Sequence, residues 1–155
     1  MAELINITGF KELAAAMAEL PKNIAKNVLR GAVNAGATVI RKQAVANAPE
    51  DSGTLKRAIY QKQIQEKSGL TQQTFYVGVR HGKQYRAVKK GSKVVSLDAF
   101  YADWVEYGHV AVNGVQVPAH PFMRTALSSK RDDAIEAMKT YLTERIAKEA
   151  DKFLR

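Results

Sequence analysis

Three features of this 155-residue sequence predict an α+β fold, an antiparallel β-sheet packed against a long N-terminal helix and a C-terminal helix. Residues 22–47 keep an apolar face at helical spacing, and residues 74–80 alternate apolar side chains with others. Helical spacing then returns over residues 135–153. Strands and helices segregated in this way point to α+β and not to a βαβ repeat. Residues 1–155 read as a single domain. Hydrophobic residues are 46% and charged residues 25%, ordinary globular usage that argues against wholesale disorder and leaves enough apolar surface for a core.

The first element is a short amphipathic helix. Phe10, Leu13, Met17 and Leu20 recur at spacings of three and four, with Thr8 placed to cap the helix. Pro21 ends it or opens the next one. From Lys22 to about Asn47, Ile24, Val28, Ala32, Ala35, Val39 and Ala46 line one broad face, widened by Leu29, Val33 and Ile40. Lys22, Lys26 and Arg30 form a separate basic stripe. At about 1.5 Å per residue such a helix runs roughly 39 Å. The small residues Ala32, Ala35, Gly36 and Ala37 let a sheet or a second helix approach closely. Pro49 disfavours helical backbone at Ala48 and stops the helix. Gly53, within Asp51-Ser52-Gly53-Thr54, then supplies a positive φ to a tight turn.

Residues 58–65 and 74–80 read as strands, the second with Phe75, Val77 and Val79 alternating against Tyr76, Gly78 and Arg80. Two glycines, two serines and many lysines make 81–97 a basic flexible loop. Asp98 is placed to cap a helix over 99–107, on which Phe100, Trp104 and Tyr107 share a face, and Gly108 stops it. In 110–117, Asn113-Gly114 suits a type I′ hairpin turn. Pro118 and Pro121 prevent further pairing. The last helix begins near Pro121 or Lys130, with Ile135, Met138, Leu142, Ile146 and Phe153 as its core stripe.

Cysteine is absent, which removes disulfides and thiolate metal sites. No apolar run approaches the roughly 20 residues of a bilayer span, so no membrane partner is expected. The first residues, Met1 to Asn6, lack the basic and apolar regions of a signal peptide, and a cytoplasmic protein is expected. The net charge of +9 is concentrated in the middle. Residues 51–98 carry ten basic and three acidic side chains, whereas residues 99–155 carry eight of each. Arg80, Lys83, Arg86, Lys89, Lys90 and Lys93 follow one another without an acidic residue. Such a field suits a polyanion or an acidic protein, although a merely solvated loop has the same composition. With only Tyr85 interleaved, stacking on bases is disfavoured, but sequence-independent phosphate contact needs charge alone.

Catalytic chemistry finds little support. Asp103, Glu106, His109 and His120 are a conceivable metal or acid–base cluster, but their spacing is looser than that of usual zinc sites. The better reading has Asp103 solvated, Glu106 accepting hydrogen bonds from local backbone or from an arginine such as Arg124, and both histidines flanking turns. Ser52-Gly53 has no glycine–serine elbow around it, and the glycines fall at no phosphate-loop spacing. No cofactor is expected. Phe100, Tyr101, Trp104, Tyr107 and Phe122 read as core first, yet a short helix cannot bury so many rings against its own sheet. One or two of them are therefore expected at a subunit interface, where aromatics are enriched.

The order of these motifs resembles the tail-component family of long-tailed double-stranded DNA phages, often described as tail-completion, neck or head–tail joining proteins. The matching residues are Ala48-Pro49, Gly53 and Leu55, then Tyr101-Ala102, Glu106, Tyr107 and Gly108, and finally Pro121-Phe122. They extend over nearly the whole chain. One departure is His109, where the family more often has a small hydroxyl residue. The resemblance implies a non-enzymatic structural protein of virion assembly at the head–tail junction or the head-proximal tail end. It also implies a homo-oligomeric ring contacting tail tube and head connector proteins, assembled in the host cytoplasm and retained in the virion. Contact with passing DNA is compatible with the basic segment. The alternatives are a small non-specific nucleic-acid-binding protein and, less favoured, a metal-dependent nuclease.

Overall fold

The computed structural model describes residues 9–153, so the Thr8 cap lies outside the described residues, as does the side chain of Phe153. Helix α1 spans Phe10–Ala18 and α2 spans Lys22–Asn47. A short α3, Thr54–Ala58, runs directly into β1, Ile59–Gln63, which pairs antiparallel with β2, Phe75–Val79. Strands β3 (Val88–Lys90) and β4 (Lys93–Val95) form a second antiparallel pair. Helix α4 is Ala102–Tyr107, and a third pair joins β5 (His109–Val110) to β6 (Gln116–Val117). The chain closes on α5, Phe122–Phe153. The fold is α+β, but the strands form three separate two-stranded ladders and not one continuous sheet.

Local chemistry explains the boundaries. Ala48 has φ −63° and ψ 131°, the extended conformation that a following proline imposes, and α2 ends there. Gly53 turns the chain at φ 70° and starts α3, a turn of helix that the sequence patterns did not reveal. Gly82, at φ 114° and ψ 162°, separates β2 from the next ladder. Gly108, at φ 75° and ψ 168°, ends α4.

Helices α2 and α5 pack along one another and organise two core clusters. The larger contains Ala44, Ala48, Leu55, Ile59, Ala102 and Phe122; the smaller is Val28, Ala32 and Leu142, covered by α1 through Phe10, Leu13 and Met17. Small residues bring the helices close. A Cβ at Gly31 would collide with Tyr141, and one at Gly36 with Met138. Ladder β1–β2 is fixed to α2 by Gln61. That side chain accepts from Arg41 Nε at 3.0 Å and donates to Asn34 Oδ1 at 2.8 Å and Thr38 Oγ1 at 2.9 Å.

Three local expectations are corrected. Residues 81–97 hold the β3–β4 hairpin and a helical turn at Lys83–Tyr85 in place of an irregular loop, because Gly91 at φ 65° allows a tight reversal. Asp98 does not cap α4, which begins three residues later than expected, after Tyr101; its carboxylate is engaged elsewhere. The Asn113-Gly114 hairpin is not type I′, since no residue but glycine among those described has positive φ. The Gly114 N–H donates to Ala111 O at 2.8 Å, and the Ala111 N–H donates to Val115 O at 2.9 Å. With Gly114 at φ 79°, this is a three-residue loop ending in a left-handed glycine.

Candidate interaction surface

Glu106 sits on α4 with only 5% of its surface exposed, yet it points at the beginning of α5. Its Oε2 accepts from the Met123 N–H at 2.9 Å, and its Oε1 accepts from the Arg124 N–H at 3.1 Å and from Arg124 Nε at 3.0 Å. Pro121, just before the helix, has no N–H of its own, so Glu106 serves the N–H groups that follow, which lack intrahelical acceptors. A carboxylate there is further favoured by the helix dipole. Burial pushes the Glu106 carboxyl up, but the Met123 and Arg124 hydrogen bonds outweigh it and hold the group below its ordinary range. Arg124 completes the arrangement, donating from Nη2 to Glu106 O at 3.0 Å and placing its Cζ 4.7 Å from the Tyr107 ring centroid.

This anchor holds α4 so that Trp104 and Tyr107, with Phe100 just before the helix, face outward. Phe100 is 62% exposed, Trp104 51% and Tyr107 64%, which overturns the expectation that they are core. Two of these rings join Tyr101 and His109 in a ladder: Tyr101 to Phe100 at 5.5 Å, Phe100 to Trp104 at 5.9 Å, and Trp104 to His109 at 5.5 Å. Val110, Val112 and Val115 of the adjoining hairpin are exposed as well. Tyr101 is half-buried against the larger core, and Phe122, at 1% exposure, lies inside it and has no surface to offer a partner. Between β2, α4 and the start of α5 lies a cleft of about 340 Å³, bordered by Tyr76, Gly78, Phe100, Tyr107 and Arg124. A more apolar groove of about 490 Å³ lies between α2, β2 and α5. Both border β2, whose outer edge has no partner strand among the described residues.

The conceivable acid–base cluster does not assemble. Glu106 is engaged by α5, Asp103 is exposed, His109 stacks on Trp104, and the His120 N–H donates to Val105 O at 2.7 Å. Among the described residues no three His, Asp or Glu side chains are grouped to hold a metal ion. No helix among them is long and apolar enough to cross a membrane.

The basic segment is organised from its base. Asp98, 6% exposed, accepts from the Gly82 N–H at 2.8 Å and from Arg86 Nε at 2.9 Å. The Arg86 guanidinium first, and the Gly82 N–H second, hold its carboxyl below the ordinary range against the opposing effect of burial. Lys83, Arg86, Lys89, Lys90 and Lys93 are all exposed, whereas Arg80 is half-buried, with its Cζ 4.6 Å from the Tyr60 ring centroid. The clasp was missed in the sequence, although one signal was present. Asp98 is the single acidic residue between Glu66 and Asp103, so a carboxylate following a basic run marks its own partner.

The family model described as "Bacteriophage HK97-gp10, putative tail-component" matches residues 11–108, well over half of the chain. The match takes in the Ala48-Pro49, Gly53 and Tyr101–Gly108 motifs and stops before Pro121-Phe122. Comparison with curated proteins and with solved structures gave no match. The chain belongs to the HK97-gp10-like family of phage tail components.

Proposed function

We propose that this tail component is a structural protein of virion assembly, acting at the head–tail junction or the head-proximal end of the tail. It works by binding, without catalytic turnover. The observation that carries the reading is the exposed pair Phe100–Trp104, backed by the half-buried His109 ring and flanked by the exposed valines of the β5–β6 hairpin. Contiguous exposed aromatic and aliphatic surface on a rigid support is characteristic of an interface and is unusual on a protein that works alone. Copies of the chain associate head to tail, a geometry that closes into a ring when the rotation permits. One surface of that ring meets the tail tube and another the head connector. Assembly takes place in the host cytoplasm, and the protein stays in the particle.

The test is a phage lysate lacking this protein. It should contain filled heads alongside separate or defective tails, and adding the purified protein should restore infectivity. Infectious particles formed in normal yield without the protein would refute the joining role.

A further inference from the structure

The β3–β4 hairpin has a feature that folding alone disfavours. Its register sets Lys90 directly opposite Lys93, with Lys89 opposite Val94. Directly opposed residues of an antiparallel pair have Cβ atoms about 4.5–5.5 Å apart, and like charges placed there repel. Lys83, Lys89, Lys90 and Lys93 are exposed, and none is in an ion pair among the described residues. The nearest carboxylate in sequence, Asp98, is already occupied by Arg86 and the Gly82 N–H. Together these residues form a uniformly positive, two-stranded projection whose base is clasped to the body.

We propose that this hairpin binds the phosphate backbone of duplex DNA, with Lys90 and Lys93 sharing one phosphate and Lys83 and Lys89 meeting its neighbours. Four considerations favour DNA over an acidic protein or a single strand. Lysine is depleted from protein–protein interface cores, which rely on Trp, Tyr and Arg anchors, and here the exposed charges at and beside the strands are mostly lysines. Lysine acts as a point charge well suited to phosphate. Tyr85, the sole aromatic of the segment, is half-buried, and its backbone carbonyl is tied to the Leu97 N–H, so no fully exposed ring is available to stack on an unpaired base. A two-stranded ribbon also fits the major groove, about 12 Å wide, with phosphates on either side. The binding is therefore sequence-independent, and it goes beyond the assembly role.

Fluorescence anisotropy with a mixed-sequence duplex of about 20 base pairs, titrated with the purified protein between roughly 50 and 200 mM NaCl, tests this. Log affinity should fall linearly with log salt. Replacing Lys83, Lys89, Lys90 and Lys93 with Gln should reduce the slope by about 3 and remove most of the affinity, at roughly 0.9 for each of the phosphates no longer neutralised. The double variant Lys90→Gln/Lys93→Gln, which gives up the shared phosphate, should reduce it by about 1, and it decides the matter if the quadruple variant loses its circular dichroism. Replacing Lys22, Lys26 and Arg30 of α2 with Gln should leave the slope unchanged. The proposal is overturned if the parent shows no salt-dependent binding or if the α2 substitutions reduce the slope as much as the hairpin ones do. It is also overturned if polyglutamate competes for the hairpin as strongly as DNA does, which would assign the surface to an acidic protein. Particle joining in complemented lysates is read separately, so failure here is distinct from failure of the assembly role.

Discussion

The carboxylate of Glu106 lies 3.0 Å from Arg124 Nε while also accepting the Met123 and Arg124 backbone N–H groups, so one buried residue of α4 caps the start of the 32-residue α5. The ion pair alone contributes little, because Arg124 is more than half exposed. The two backbone N–H groups contribute more. Glu106→Ala leaves both without their acceptor and should destabilise the fold by about 2 kcal/mol. For a chain of this size that lowers the melting temperature by roughly 4–8 °C. Glu106→Gln keeps one acceptor oxygen and should fall between Ala and the parent. A Glu106→Ala variant that melts with the parent would show that the cap adds nothing.

The same carboxylate predicts a pH dependence. Its folded-state pKa is depressed below the unfolded value of about 4.3, so its stabilisation is complete above that value and is lost as pH falls through the folded pKa. Denaturant midpoints measured from about pH 7 down to about pH 3 should converge for parent and Glu106→Gln at the acid end. Parallel curves across that range would contradict the assignment.

Two glycines should respond differently to substitution. Both have positive φ, 70° at Gly53 and 75° at Gly108. A Cβ at Gly53 would meet Arg57 Nη1 at 2.9 Å, the movable end of a side chain. At Gly108 it would meet Val117 O at 2.8 Å and Ala119 N at 2.9 Å, backbone atoms that cannot step aside. Gly53→Val should therefore cost about 1–2 kcal/mol from the backbone conformation, and Gly108→Ala more than Gly53→Ala. Thermal melts of the three variants decide the ranking, and a Gly108→Ala protein as stable as Gly53→Ala would reverse it.

Asp98→Asn should loosen the basic hairpin without melting the molecule. The amide can still accept from Gly82 N–H, but the ionic partner of Arg86 is gone. Amide exchange should accelerate across 83–97, including the Leu97 N–H bonded to Tyr85 O at 2.8 Å, with α2 and α5 unchanged. Because the Asp98 carboxyl is held below its ordinary range, the parent's hairpin should lose the same protection only as pH falls through that lowered value. Unchanged exchange in the variant would mean that the strand pairing alone fixes the hairpin.

What the sequence disclosed follows the range of the forces involved. Helix α2 was legible over its full length because 26 residues of spacing and a terminating proline are local signals. Glu106 was legible because a carboxylate beside an aromatic and a glycine, with Arg124 downstream, needs few alternatives to be weighed. The orientation of Phe100, Trp104 and Tyr107 was not. Whether a ring faces core or solvent depends on how α4 is set against β2 and α5, and that is decided by Glu106 reaching a helix 17 residues away. The β3–β4 hairpin was hidden for a related reason. Three-residue strands rich in lysine have no apolar alternation, and their pairing is supported by a clasp to Asp98 that closes over 12 residues.

Trp104 offers the sharpest separation of surface from core. It is half exposed, and its ring contacts are to Phe100, which is itself exposed, and to His109. Truncation to alanine removes a large apolar face from solvent and opens no enclosed cavity, so stability should change by well under the roughly 3–5 kcal/mol typical of a buried tryptophan. Circular dichroism and the melting curve should remain close to those of the parent. If the ladder is the joining surface, Trp104→Ala and Phe100→Ala should nevertheless complement a deficient lysate poorly, because the aromatic centre of an interface carries most of its binding energy. Phe122→Ala is the contrasting control, since its ring lies at 1% exposure in the larger core cluster and its loss should unfold or strongly destabilise the chain. Full complementation by a folded Trp104→Ala protein would remove the ladder from the interface and direct attention to the two clefts that flank β2.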